Sequence, residues 1–134
     1  MLERITRATG AERVTLGERL QSLWGGYGEL WRAELQSAGT LASVVVKVVR
    51  PPAGDATLSH RRKLRSYEVE RHFYQRYATR CAEAPPCRVP RSRALEQQDG
   101  GWLFVLEDLD AAGFSERRGR ALPAQISATL RWLA

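Results

Sequence analysis

Cysteine, histidine, lysine and methionine are all scarce in this sequence. Cys81 and Cys87, with His60 and His72, are its whole stock of soft metal ligands. Their spacing does not suit a structural zinc site, and one cysteine pair is no disulfide framework, so both thiols are expected to be free. Long hydrophobic runs are missing too. The longest, Val44-Val45-Val46-Lys47-Val48-Val49, is strand-sized and already carries a charge, against the roughly 20 apolar residues a membrane helix needs. Met1-Leu2-Glu3-Arg4 lacks the basic-then-apolar order of a signal peptide, which makes the cytoplasm the expected address. Neither an internal repeat nor a low-complexity segment is present.

What remains is an ordinary globular composition. The 134 residues, 43% hydrophobic and 27% charged, suit one domain able to bury a core. The net charge is +6, and of 21 basic residues all but Lys47 and Lys63 are arginine. Local clusters occur at Arg61-Arg62-Lys63 and Arg117-Arg118-Gly119-Arg120. A basic face attracts nucleic acid or phosphorylated ligands, whereas solvated arginines that merely raise the pI explain the same numbers.

Periodicity and turn residues set the organisation. An apolar-periodic start with Leu2 and Ile5 ends near Thr9-Gly10, a helix stop. Residues 14–24 carry apolar side chains unevenly and lead into Gly25-Gly26-Tyr27-Gly28. A second strand, the turn Ser37-Ala38-Gly39-Thr40 and the valine run follow, predicting an antiparallel meander. Pro51-Pro52 ends it. Residues 59–80, free of Gly and Pro, predict one long helix. Ala84-Pro85-Pro86 closes that region. Strands at 89–95 and 102–106 are joined by a Gln97-Gln98-Asp99-Gly100-Gly101 turn, and a helix begins over 122–133. Strands that do not alternate one-to-one with helices predict an α+β fold with an antiparallel sheet.

Three features carry possible chemistry. Strand alternation puts Val44, Val46 and Val48 on one face of the valine run and Val45, Lys47 and Val49 on the other. A covered ammonium there needs a partner; a lysine guarding a sheet edge is the plainer alternative. On the long helix Glu70 shares its face with Tyr67, Phe73, Tyr74 and Tyr77, and a carboxylate on such a stripe needs a cation unless it reaches solvent at the border. Packing that helix on the sheet brings Glu70 over the Lys47 face. Gly25, Gly26 and Gly28 let backbone N–H groups approach a ligand, although the spacing is neither GxGxxG nor GxxxxGK[ST] and a plain glycine hairpin accounts for it equally.

A glycine turn, a lysine on the third strand and a glutamate on the next helix together resemble the small N-terminal lobe of protein-kinase-like phosphotransferases. Within that class the chain is similar to the choline-kinase, aminoglycoside-phosphotransferase and ecdysteroid-kinase-like families. The matching residues are Leu20-Gln21-Ser22-Leu23-Trp24-Gly25-Gly26-Tyr27-Gly28-Glu29, Val46-Lys47-Val48, Ser66-Tyr67-Glu68-Val69-Glu70 with Phe73-Tyr74, and Phe104-Val105-Leu106-Glu107-Asp108-Leu109. The resemblance implies a lobe over residues 1–111, with a five-stranded antiparallel sheet and one long packed helix. It implies a linker and the start of the first large-lobe helix over 112–134. It also implies ATP as ligand, with Lys47 on the α/β-phosphates and Glu70 anchoring it. The backbone of Gly25, Gly26, Tyr27 and Gly28 would cover the phosphates, and the hinge backbone of Glu107 and Leu109 would meet the adenine edge. Val46 or Leu106 would line the base pocket, and the Glu107 and Asp108 side chains would set hinge geometry.

Phosphoryl transfer also needs an aspartate to orient the acceptor hydroxyl, and Asn and Asp ligands for Mg²⁺. No histidine follows His72, so no HxDxxxxN-like loop is present, and Asp108 and Asp110 fall on the hinge. By the resemblance, Leu130-Arg131-Trp132-Leu133-Ala134 lies ahead of every catalytic residue, and Mg²⁺ is expected only with the large lobe. The first expectation is therefore the nucleotide-binding half of a kinase for a small-molecule hydroxyl, inactive by itself. A stand-alone lobe is the second, serving interaction and covering an open hinge face, for instance by self-association. The third and least favoured is a basic nucleic-acid-binding domain, with Trp24, Tyr27, Trp31 and Trp102 as stacking residues.

Overall fold

Three hairpin turns and one crossover build the sheet. The computed structural model describes residues 1–54, 57–83, 88–116 and 119–133; Cys87 and the Arg117-Arg118 cluster lie outside the described residues. Along the chain come α1 (Leu2–Thr9), β1 (Arg13–Ser22), β2 (Gly28–Ser37), β3 (Thr40–Val49), α2 (Leu58–Arg76), α3 (Ala78–Glu83), β4 (Ser92–Gln98), β5 (Gly101–Glu107) and α4 (Pro123–Leu133). The five strands form one sheet in the order β1-β2-β3-β5-β4, antiparallel throughout. The fold is thus α+β.

The tight turns follow their chemistry. Ala38-Gly39 between β2 and β3, and Asp99-Gly100 between β4 and β5, hold φ of 48° and 76°, and of 52° and 73°. Two successive positive φ values match the right-handed twist of the strands they join. In β1 the register slips between Leu16 and Arg19 and again between Arg19 and Gln21. Those irregularities break strict alternation, which is why the apolar spacing over 14–24 looks uneven.

Both faces of the sheet are covered. On one, Val44, Val46 and Val48 of β3 and Leu103 and Val105 of β5 pack with Ala33 and Leu35 against Ile5 and Ala11. On the other, Val49, Trp102, Phe104 and Leu106 meet Leu64, Tyr67 and Tyr74 of α2. Beside the expected long packed helix, a second helix covers the sheet. Although only eight residues long, α1 closes the face opposite α2, because Ile5 is fully buried and Gly10, at φ 68°, ends the helix.

Two boundaries also differ from expectation. The long helix is interrupted at Tyr77, where φ widens to −118° while ψ stays at −34°. The chain then resumes as α3 with Ala78 buried and Tyr77 half exposed. β4 begins at Ser92 instead of near Val89, because Pro90 has no N–H for a ladder. Among the described residues, no helix is long and apolar enough to cross a membrane.

Candidate functional site

β3 is the central strand. Lys47 sits opposite Leu30 of β2 on one side and Phe104 of β5 on the other, so it guards no edge. Its side chain is 15% exposed, and its Nζ lies 2.6 Å from Oε2 of Glu70. The rings of Tyr67 and Phe104 flank the ammonium at 5.1 and 5.4 Å. Tyr67 and Tyr74 stand one turn to either side of Glu70 on α2. Burial pushes both phenols above the usual tyrosine range, and the Glu70 charge adds to it. Helical spacing on α2 and alternation on β3 therefore meet at one ion pair inside an aromatic surround.

The segment after β5 is tied to the sheet. Asp108 is buried at 3% exposure, and its carboxylate accepts from Arg32 Nε at 2.8 Å, Ser43 Oγ at 2.7 Å and the Asp110 N–H at 3.0 Å. Arg32 also donates to Asp110 Oδ2 at 2.6 Å and pairs with Glu18. Burial pushes the Asp108 carboxyl up, but those hydrogen bonds outweigh it and hold the group below the ordinary aspartate value. The bond to Asp108 in turn raises Arg32. Glu107 takes Arg88 at 2.6 Å and the Arg91 N–H at 3.0 Å. The Arg88 hydrogen bond, chiefly, draws its carboxyl below the usual range.

Between these two constellations lies a cavity of about 300 Å³. Leu20, Leu30, Val45, Leu106 and Leu109 give it apolar walls, while Lys47 and Glu70 line it with Arg32, Asp108 and Asp110. Val45 takes the place expected for Val46. The latter points to the opposite face and is fully buried with Ile5, as strict alternation from Lys47 requires.

The glycine turn lies elsewhere than its residue types suggest. Tyr27 is 2% exposed, its hydroxyl 2.6 Å from His60 Nδ1 and its ring 4.4 Å beneath Lys63 Nζ. The turn is thereby fastened to the first turns of α2. Gly28, at φ 145°, could not carry a side chain, since a Cβ there would fall 1.9 Å from the Val48 carbonyl oxygen. No residue of 24–28 is among those lining the cavity. Of the residues singled out from sequence, Lys47, Glu70, Glu107 and Leu109 are brought together at the cavity; Gly25, Gly26, Tyr27 and Gly28 are not.

Sequence reasoning missed Arg32, Ser43 and Glu18. The available signal was an arginine two positions from Leu30, hence on the same face of β2, with two aspartates just beyond the last strand. For the stacking alternative, Trp102 at 3% exposure and Tyr27 are core residues, and the Trp31 indole N–H donates to Glu29 Oε2 at 3.1 Å. Trp24 is exposed. Among the described residues, no group of three or more His, Cys, Asp or Glu side chains is placed to hold a metal ion. Cys81 is a free thiol. No protein-family model matches the chain, and no curated protein matches it.

Proposed function

We propose that this chain is the nucleotide-binding half of an ATP-dependent phosphotransferase acting on a small-molecule hydroxyl, built as a protein-kinase-like N-terminal lobe. The observation that carries the reading is the Lys47–Glu70 pair at 2.6 Å, with both residues lining the same apolar cavity as the 106–110 segment. The residues present fit the ligand. Leucine and valine walls suit a purine ring, and about 300 Å³ is the lower end for small-ligand pockets. The Glu107 N–H already donates to the Arg91 carbonyl, and the Leu109 carbonyl accepts from Phe114, each at 2.8 Å. Recognition of the base edge would then use other main-chain groups of the Glu107–Leu109 segment.

Lys47, held by Glu70, would pair with the phosphates at the cavity, while the turn of Gly25, Gly26, Tyr27 and Gly28, fastened to α2, stands outside its lining. ATP would supply the transferable phosphoryl group. An acceptor-orienting aspartate and ligands for Mg²⁺ have no counterpart among the matching residues, so binding is the role assigned here. The acceptor class rests on family resemblance alone. Titration of the chain with a fluorescent ATP analogue tests the reading. Saturable binding competed by ATP is expected, with Lys47→Met weakening it about tenfold or more through loss of charge-assisted phosphate contacts. Equal affinity of the variant, with its circular dichroism unchanged, would sink it.

One observation favours a second reading, an interaction module. Leu122, Ile126 and Leu130, spaced four apart at α4, are 58%, 49% and 61% exposed. Sedimentation over a concentration series distinguishes the two. Dimerisation abolished by Ile126→Glu supports the module, and a monomer at all concentrations removes self-association from it.

A further inference from the structure

We infer that the outer face of α2 is a docking surface for an acidic, amphipathic helical segment of a partner protein. α2 spends its inward stripe (Leu64, Tyr67, Glu70, Tyr74) on the sheet and the cavity. Its other side carries a groove of about 440 Å³ lined by Arg65, Val69, His72, Phe73, Arg76 and Tyr77. Val69, Phe73 and Tyr77 are four residues apart, so they form one apolar stripe along the helix. Val69 and Tyr77 leave 53% and 51% of their surface exposed. A half-exposed valine in a helix interior is a poorer helix former than lysine or glutamate, and half of its surface gains nothing from packing. Packing among the described residues thus does not account for the exposed surface of Val69 and Tyr77.

The rim decides what fits. Arg65 and Arg76 border the groove, and Arg61, Arg62 and Arg80 are exposed on the same helical stretch. Of the two acids on α2, Glu70 is turned inward to Lys47, and Glu68 lies 3.3 Å from Arg65. An apolar groove with a cationic rim is complementary to a helix that presents leucine or phenylalanine at three- and four-residue spacing with carboxylates alongside. Arginine and aromatic residues are also the types that interface centres favour. A nucleic acid would use the arginines but leave Val69 without a counterpart. A bilayer would take the arginines and Val69 alike, and the vesicle probe separates it from a peptide.

The test uses the whole chain and a labelled helical peptide with leucine at three- and four-residue spacing and flanking glutamates. The comparison probes are the same peptide with lysines for glutamates, a single-stranded oligonucleotide and phosphatidylserine vesicles. The acidic peptide is expected to saturate the chain, with the lysine peptide at least about tenfold weaker. Val69→Glu should weaken binding about tenfold, and Arg65→Glu with Arg76→Glu should reverse the preference between the two peptides. Circular dichroism of each variant confirms the helix. No saturation by the acidic peptide, equal binding of both peptides, or tighter binding to oligonucleotide or vesicles that ignores Val69→Glu would each overturn the inference.

Discussion

The two faces of the sheet are built from alternate residues of the same strands yet obey different rules. Under α1, Val44, Val46, Val48, Leu103 and Val105 meet Ile5 without a titratable group among the buried residues of that cluster, and the ion pair on that side, Arg4 with Glu96 at 3.3 Å, joins α1 to β4 instead of facing a cavity beside an aromatic surround. Under α2, one residue further along β3, an ammonium and a carboxylate share the space with Tyr67, Tyr74 and Phe104. An apolar side chain at position 47 would pack there without the cost of desolvating two charges, so stability alone does not favour the pair. Both faces bury an apolar cluster, and the second also holds a charge pair that lines a partly open cavity.

Substitutions one residue apart break this comparison most sharply. Val46→Asp would bury an unpaired carboxylate on the dry face and should cost several kcal/mol, on the order of the whole stability of a domain this size. Loss of a cooperative urea transition is the expected result, and a retained transition would show that face to be wetter than described. On the charged side, Asp108→Asn keeps the shape but removes the negative charge from the hydrogen bonds to Arg32 and Ser43. A loss of about 2 kcal/mol is expected from urea titration at neutral pH.

The pH dependence of that variant sharpens the point. Because the folded Asp108 carboxyl titrates below its unfolded value, its contribution is present above the unfolded value and disappears as pH falls through the folded one. The gap between the parent and Asp108→Asn should therefore close on acidification. A gap independent of pH would assign the effect to shape alone.

The smallest stability change is expected at the neighbour of the first. Lys47→Met removes the cation but leaves Glu70, 29% exposed, able to hydrate. A shift of about 1 kcal/mol or less follows, against several for Val46→Asp. If Lys47→Met instead unfolds the chain, the ion pair is a structural element and the contrast between the faces fails.

The pair itself is legible in the sequence. Alternation places Lys47 opposite Val46, and helical spacing places Glu70 between Tyr67 and Tyr74, so only the docking of one regular element on another remains. The hairpin at Asp99-Gly100 is legible for a similar reason, since two residues settle its twist locally. Arg32 is not, because its partners Asp108 and Asp110 lie 76 and 78 positions away. Nor is the inward turn of Tyr27, which depends on His60 and Lys63 of α2 presenting a polar atom and a cation to its ring.

Local periodicity alone therefore determined the α+β class, the meander, the second hairpin and the facing of Lys47 and Glu70, because each depends on spacing within a single element. Tertiary structure decided the rest. It closed the face opposite α2 with the short α1, split the long helix at Tyr77, put Val45 in the cavity wall, and moved the glycine turn from the cavity lining onto α2. Each of those outcomes depends on which side chains from distant segments compete for the same buried space, and spacing along the chain carries no record of that competition.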